Sequence, residues 1–226
     1  MFRQLFDPDS STYSYVLGEP FGGQAVIVDP VREHVERDLA LLAEHRLQLA
    51  WILETHVHAD HVTGARALRE RTDARTAVSL HCGASGFDRL LSHGEWVAFG
   101  QERIRVIATP GHTPGSSCFL WHDRLLTGDT LLIGGCGRTD FQNGDAGALY
   151  DSITDRLFTL PDDTLVYPGH DYKGRHVSTI GEEKATNPRL AGRSRQEFIQ
   201  IMGALGLPEP KRIHEAVPAN LRGGTP

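Results

Sequence analysis

Four times in this chain a short apolar run ends directly in a cluster of glycine, threonine, histidine and aspartate. Residues 49–54 (LAWILE) lead into Thr55-His56-Val57-His58-Ala59-Asp60-His61. Residues 103–108 lead into Thr109-Pro110-Gly111-His112-Thr113-Pro114-Gly115, and residues 124–127 into Thr127-Gly128-Asp129-Thr130. Residues 164–167 (TLVY) lead into Tyr167-Pro168-Gly169-His170-Asp171-Tyr172. Apolar runs this short, bounded by turn residues, read as buried strands. Strand ends on a rigid sheet can assemble one site from distant segments. The pattern therefore demands a sheet-built fold, and it predicts that four strand ends converge.

The intervening sequence fits such a fold. Residues 13–18 and 24–29 read as strands joined by a turn at Gly22-Gly23. Residues 32–46 read as a helix with Val35, Leu39, Leu42 and Ala43 on one face. A second helix runs from about Thr63 to Arg71, further strands cover 75–80, 95–98 and 116–121, and 145–158 reads as a helix. Thr179-x-x-Glu182 and Ser194-x-x-Glu197 are capping-box patterns that start two more helices. The tail from Leu207 reads as mostly irregular. The N-terminal residues lack the apolar core of a secretory signal, and no apolar run approaches the roughly 20 residues of a membrane span.

Histidine accounts for 12 of the 226 residues, and imidazole is the commonest metal ligand. The 55–61 cluster packs four ligand-type side chains, three His and one Asp, into six residues. Buried together without a cation, they would suffer uncompensated desolvation and repulsion. His112, Asp129 and His170 are each weak signals alone and gain force from their shared position after strands. The formal net charge of −6 argues against a nucleic-acid partner. Cys82, Cys118 and Cys136 form no Cys-x-x-Cys pattern, so neither a disulfide framework nor a zinc knot is expected, and free thiols suit a reducing, cytoplasmic setting. Cys136 reads as a small buried residue rather than a sulfur relay.

In these motifs, over residues 12–172, the sequence resembles the metallo-β-lactamase superfamily. The resemblance implies an αββα sandwich of two mixed β-sheets flanked by helices, with the metal site at one sheet edge. It implies a single domain over 1–226 with a short helical and irregular extension from about 174. Glyoxalase II-type hydrolases of this superfamily fill all seven ligand positions with a dinuclear site, and every position is filled here. The ligand inventory alone therefore leaves hydrolase and oxygenase open.

Leu132-Ile133-Gly134-Gly135-Cys136-Gly137-Arg138-Thr139-Asp140-Phe141-Gln142, the run from Tyr167 to Leu190, and Ala216-Val217-Pro218-Ala219-Asn220-Leu221-Arg222 together resemble the persulfide dioxygenases. So does the length, with 56 residues after His170 (226 less 170) where glyoxalase II enzymes extend further. The resemblance implies one Fe(II) per chain on His56, His112 and Asp129, the arrangement of a 2-His-1-carboxylate facial triad. It implies glutathione persulfide and O2 as substrates, sulfite and glutathione as products, and a homodimer. His58, Asp60, His61 and His170 then orient the ligands, or else hold a second metal. Arg138 is expected to clamp a glutathione carboxylate, with Tyr172, Lys173 and Arg212 in the same pocket. The remaining histidines, His34 among them, read as surface or locally satisfied groups. A dinuclear thioester hydrolase is the alternative enzyme, and a non-enzymatic metal-binding or redox-sensing module the alternative of another class.

Overall fold

A computed structural model describes residues 1–20 and 22–225. The first six-stranded sheet runs in chain order: β1 (Phe2–Asp7), β2 (Thr12–Gly18), β3 (Gln24–Val28), β4 (Gln48–Leu53), β5 (Arg75–Ser79) and β6 (Arg89–Leu91). The second also has six strands: β7 (Trp96–Phe99), β8 (Glu102–Ala108), β9 (Ser117–Trp121), β10 (Arg124–Gly128), β11 (Leu165–Pro168) and β12 (Ser178–Thr179). Both sheets are mixed: β3, β4, β5 and β6 run parallel, as do β10 and β11, and the other pairings are antiparallel.

The period-2 alternation of the strands explains the layers. Tyr13, Tyr15 and Leu17 of β2, Val26 and Val28 of β3, and Trp51 and Leu53 of β4 point inward. They meet Ile104, Val106, Phe119, Trp121 and Leu126 of the opposite sheet. The intervening residues, Val16, Ala25, Ile27, Leu49 and Ile52, face outward onto α1 (Val35–Glu44) and α2 (Ala65–Thr72). On the other flank Ile107, Cys118, Leu125 and Val166 pack against α3 (Ala146–Ser152), α4 (Ile180–Thr186) and α5 (Arg195–Gly203). Each fully buried Leu, Ile or Phe in these layers stabilises the fold by about 1.5–3 kcal/mol. The result is the expected αββα sandwich.

Both capping patterns are realised. Thr179 accepts from the Glu182 backbone, and Ser194 and Glu197 form a reciprocal capping box. Three local expectations are corrected. The helix read over 145–158 is α-helical only to Ser152 and continues as a π turn over Ile153–Leu157. The tail is not irregular throughout: α6 (Ile213–Asn220) forms despite Pro218 because Ala216 and Ala219 bury against Val62. The edge strand β1 was not expected, its half-exposed residues giving a weak alternation. Among the described residues no helix is long and apolar enough to cross a membrane.

The turn that carries His112 shows how tightly the layers close. Gly111 sits at φ +145°, and a Cβ there would lie 2.3 Å from the Leu149 backbone in α3. Gly111→Ala should destabilise the chain on the order of 3 kcal/mol, from backbone strain plus displacement of α3. Chemical denaturation of the metal-free protein measures this, and an unchanged midpoint would contradict it.

Candidate metal centre

The strand-end clusters do converge. His56 follows β4, His112 follows β8, Asp129 follows β10 and His170 follows β11. Seams between the sheets fix the edge where they meet: Ser117 N–H donates to the Thr55 carbonyl at 2.8 Å, and Tyr13 N–H donates to Gly169 O at 2.8 Å. Small residues let the backbones approach. A Cβ on Gly169 would come within 2.6 Å of Asp129 Oδ1, and one on Gly128 within 2.5 Å of Thr55 Oγ1.

His56, His112 and Asp129 bring one potential ligand atom each to within 4.8 Å of the others. Their outward atoms are fixed by partners. Thr55 Oγ1 gives its single proton to Asp29 Oδ2 at 2.8 Å, so His56 Nδ1 must donate to it at 2.9 Å. His112 Nδ1 donates to the Arg138 carbonyl at 2.7 Å. Both rings thus have Nδ1 engaged outward and leave Nε2 for the site. Burial, with the neighbouring His58 and His112, holds His56 well below the usual imidazole pKa, which keeps it neutral and able to ligate. Asp129 Oδ2 lies 3.7 Å from His112 Nε2, and Asp129 Oδ1 is buried with no hydrogen-bond partner. Two imidazoles with Nδ1 engaged outward, converging on an unpartnered carboxylate oxygen, fit a divalent transition metal.

His58 is placed differently. Its Nε2 lies 3.1 Å from Asp29 Oδ1 and 3.4 Å from Glu54 Oε2, all three side chains being buried. Burial alone would depress its pKa; the two carboxylates outweigh that and hold His58 well above the usual value. Among the described residues neither ring nitrogen of His58 has a hydrogen-bond partner, and neither has Glu54 Oε2. His58, Asp60 and His61 also come within 4.8 Å of one another, as do Asp29, Glu54 and His58. Asp60 Oδ2 accepts from His61 Nδ1 at 2.9 Å and from Thr12 Oγ1 at 2.8 Å. His170 Nδ1 donates to Ser11 O at 3.1 Å, and its Nε2 stands 3.5 Å from Asp129 Oδ1 and 3.8 Å from Asp60 Oδ2.

The expected substrate residues divide. Arg138 is at the site, but its guanidinium is engaged. Nε and Nη2 each bond Asp140 at 2.6 Å, and Nη1 and Nη2 bond the carbonyls of Pro208 and Leu207. Tyr172 is 74% exposed and stacks its ring on His170 at 6.0 Å and 9°. Lys173 is exposed beside it. Arg212 lies apart, paired with Glu33 and Glu215. The three cysteines are free. Burial pushes the Cys136 thiol up to about 11 and those of Cys82 and Cys118 up to about 12, so none is a ready thiolate.

Sequence reasoning missed four parts of the site. Asp29, Glu54 and the hydroxyl of Thr55 form its floor. Asn220 of α6 donates from Nδ2 to the carbonyls of His58 and His61 and accepts from Thr63 N–H, clasping the metal loop. Asp29 had a signal, since it too ends an apolar strand run. Asn220 had none, because only folding brings α6 to the loop.

Two predictions follow from these contacts. Thr55→Val should weaken binding of a divalent transition metal by about 10–100-fold, the usual effect of losing a group that orients a ligand, as read by competition with a chromophoric chelator. Unchanged affinity would remove Thr55 from that role. The second concerns acid stability. Burial raises the Asp60 pKa, but His61 and His170 outweigh it and bring Asp60 well below 3.8. A depressed carboxylate stabilises the fold above its unfolded pKa, and that contribution is lost as pH falls from about 3.8 toward the folded value. Asp60→Asn should therefore flatten the acid limb of stability against pH in the metal-free protein, with little change in slope above pH ~5 from this group.

A family model for the metallo-beta-lactamase superfamily matches residues 7–170. The chain is 46% identical over 226 residues to the mitochondrial persulfide dioxygenase ETHE1 of Homo sapiens, covering 99% of this chain and 89% of that one. The crystal structure of ETHE1 from Myxococcus xanthus superimposes with a TM-score of 0.97 at 57% identity, over 99% of both chains. TTHA1623, solved in a di-iron-bound form, gives a TM-score of 0.71 at 29% identity, over 83% of this chain and 100% of that one. The chain belongs to the metallo-β-lactamase superfamily and, within it, to the family of the persulfide dioxygenases.

Proposed function

We propose that this chain is an iron-dependent dioxygenase that converts glutathione persulfide, O2 and water to sulfite and glutathione. The observation that carries the reading is the convergence of His56, His112 and Asp129, one donor atom each within 4.8 Å of the others, in a chain 46% identical to a persulfide dioxygenase over 99% of its length. One Fe(II) held there would supply the redox centre and the open positions that bring O2 and the substrate sulfur, which provides the electrons, together.

The protein's own part is positioning. Thr55 and the Arg138 carbonyl fix the two imidazoles. His170, held by Ser11 and stacked under Tyr172, forms a wall beside Asp129. Tyr172 and Lys173 are the exposed groups nearest that wall, and they suit the peptide and carboxylates of a glutathione moiety. Arg138 acts on this moiety only if a carboxylate displaces Asp140 or the 207–208 carbonyls from its fork. Arg212, paired with Glu33 and Glu215 beside the recess at Asp60, stands outside this pocket. The reading includes a homodimer and a reducing, cytoplasmic compartment, supported by the three free cysteines.

The test couples metal analysis to O2 uptake. Iron-loaded protein should bind one ion per chain and consume one O2 for each sulfite formed. Alanine at His56, His112 or Asp129 should abolish both. Sulfite formed without O2 uptake would overturn the proposal. The two-metal thioester hydrolase is favoured by the di-iron-bound relative and by the His58-Asp60-His61 grouping. Two tightly held ions per chain with turnover of glutathione thioesters would establish it instead. A redox sensor would need a reactive thiol, and the raised thiol pKa values oppose that.

A further inference from the structure

Behind the metal centre, the loop between β1 and β2 and the turn before α1 enclose a recess of about 100 Å³. Asp7, Ser10, Glu33, His34, Asp60 and Arg212 line it. Through this region a chain of hydrogen bonds runs without a break. Asp60 Oδ2 is 2.8 Å from Thr12 Oγ1, and Thr12 Oγ1 is 2.7 Å from Ser10 Oγ. Ser10 Oγ bonds Asp7 Oδ2, and Asp7 Oδ1 is 2.9 Å from His34 Nε2. At its inner end Asp60 lies beside His61 and His170; at its outer end the His34 side chain is 27% exposed.

The two hydroxyls have one proton each and stand between two carboxylates. Ser10 is placed to donate to Asp7 or to Thr12, and it can do only one at a time. The chain therefore has two polarities. In one, Asp7 carries a proton and every hydroxyl points toward Asp60. In the other, Asp60 carries it and every hydroxyl points toward Asp7. Passing from the second to the first moves one proton from Asp60 to Asp7 by three short hops, with no heavy atom leaving its place. Rotation of the Asp7 carboxyl then presents the proton to His34, which gives it to water.

We propose that Asp60, Thr12, Ser10, Asp7 and His34 form a proton exit from the metal centre, separate from the substrate side at Tyr172. The inference rests on the dioxygenase reading, whose balance requires such an exit. A persulfide anion RSS⁻ with O2 and H2O gives RSH, SO3²⁻ and one H⁺. Two oxygen atoms from O2 and one from water end on the terminal sulfur, which is oxidised as O2 is reduced. Water's two protons divide between the thiol and the surroundings. Asp7 is suited to pass the proton on: burial raises its pKa, yet the bonds from Ser10 and His34 outweigh that and bring it below the ordinary carboxylate value.

The experiment has three arms. In the metal-free wild-type protein, proton NMR at low temperature should show slowly exchanging, downfield hydroxyl resonances for Ser10 and Thr12, both perturbed in Thr12→Val. Their absence from the wild type would overturn the chain itself. In iron-loaded protein with glutathione persulfide, Thr12→Val should keep full iron content and the wild-type KM. Its kcat should fall several-fold with a larger solvent deuterium isotope effect. His34→Ala should lose kcat several-fold in dilute buffer and regain it when imidazole is added, a rescue that a purely structural role would not allow. Wild-type kcat in both variants, or a His34→Ala deficit that imidazole leaves untouched, would overturn the exit. If iron-loaded wild type takes up no O2, the dioxygenase reading and the exit's purpose fail, and the hydroxyl resonances alone report whether the chain exists.

Discussion

The site depends on the carboxylate of Asp29. It sits at the end of β3 with φ +50° and is 1% exposed. One oxygen accepts the Thr55 N–H at 2.7 Å and lies against His58; the other accepts the Thr55 hydroxyl. This one buried side chain thereby fixes the start of the metal loop and, through the Thr55 hydroxyl, the tautomer of His56. Removing one partner of such a buried group leaves an uncompensated charge and commonly costs about 3–5 kcal/mol. His58 belongs to the same cluster, its ring 4.1 Å from that of His56.

The ligand-type side chains beyond His56, His112 and Asp129 each make contacts of their own. His58 faces the buried carboxylates of Asp29 and Glu54. His61 and Thr12 fasten Asp60. His170 is tethered to the β1–β2 loop through Ser11. None of these roles demands a different residue type, so a list of potential ligands cannot count metals.

The layers and the convergence were legible because both are written in local patterns: period-2 alternation in β2, β3 and β4, and polar clusters at four strand ends. Thr179 and Ser194 announced their helices by chemistry confined to one turn. What was illegible depends on contacts between remote segments. The roles of Asn220 and of the Arg138 carbonyl exist only once α6 and the 136–141 loop have docked. Arg138 shows the limit from the other side. Its guanidinium looked free in the sequence, and the fold commits it to Asp140 and the 207–208 backbone. Helix α6 was hidden by Pro218, whose local penalty is overridden by the burial of Ala216 and Ala219.

His56 is carried by the first sheet, whereas His112 and Asp129 are carried by the second. The span across the donor atoms is therefore set by the thickness of the sandwich. Leu53, Val106, Phe119 and Leu126, none of them a ligand, act as spacers that gauge how large an ion the edge accepts. Interiors are packed too densely to absorb a change in volume silently. In this architecture the hydrophobic core is the calliper of the metal site, so a change of volume in it is felt between the donors.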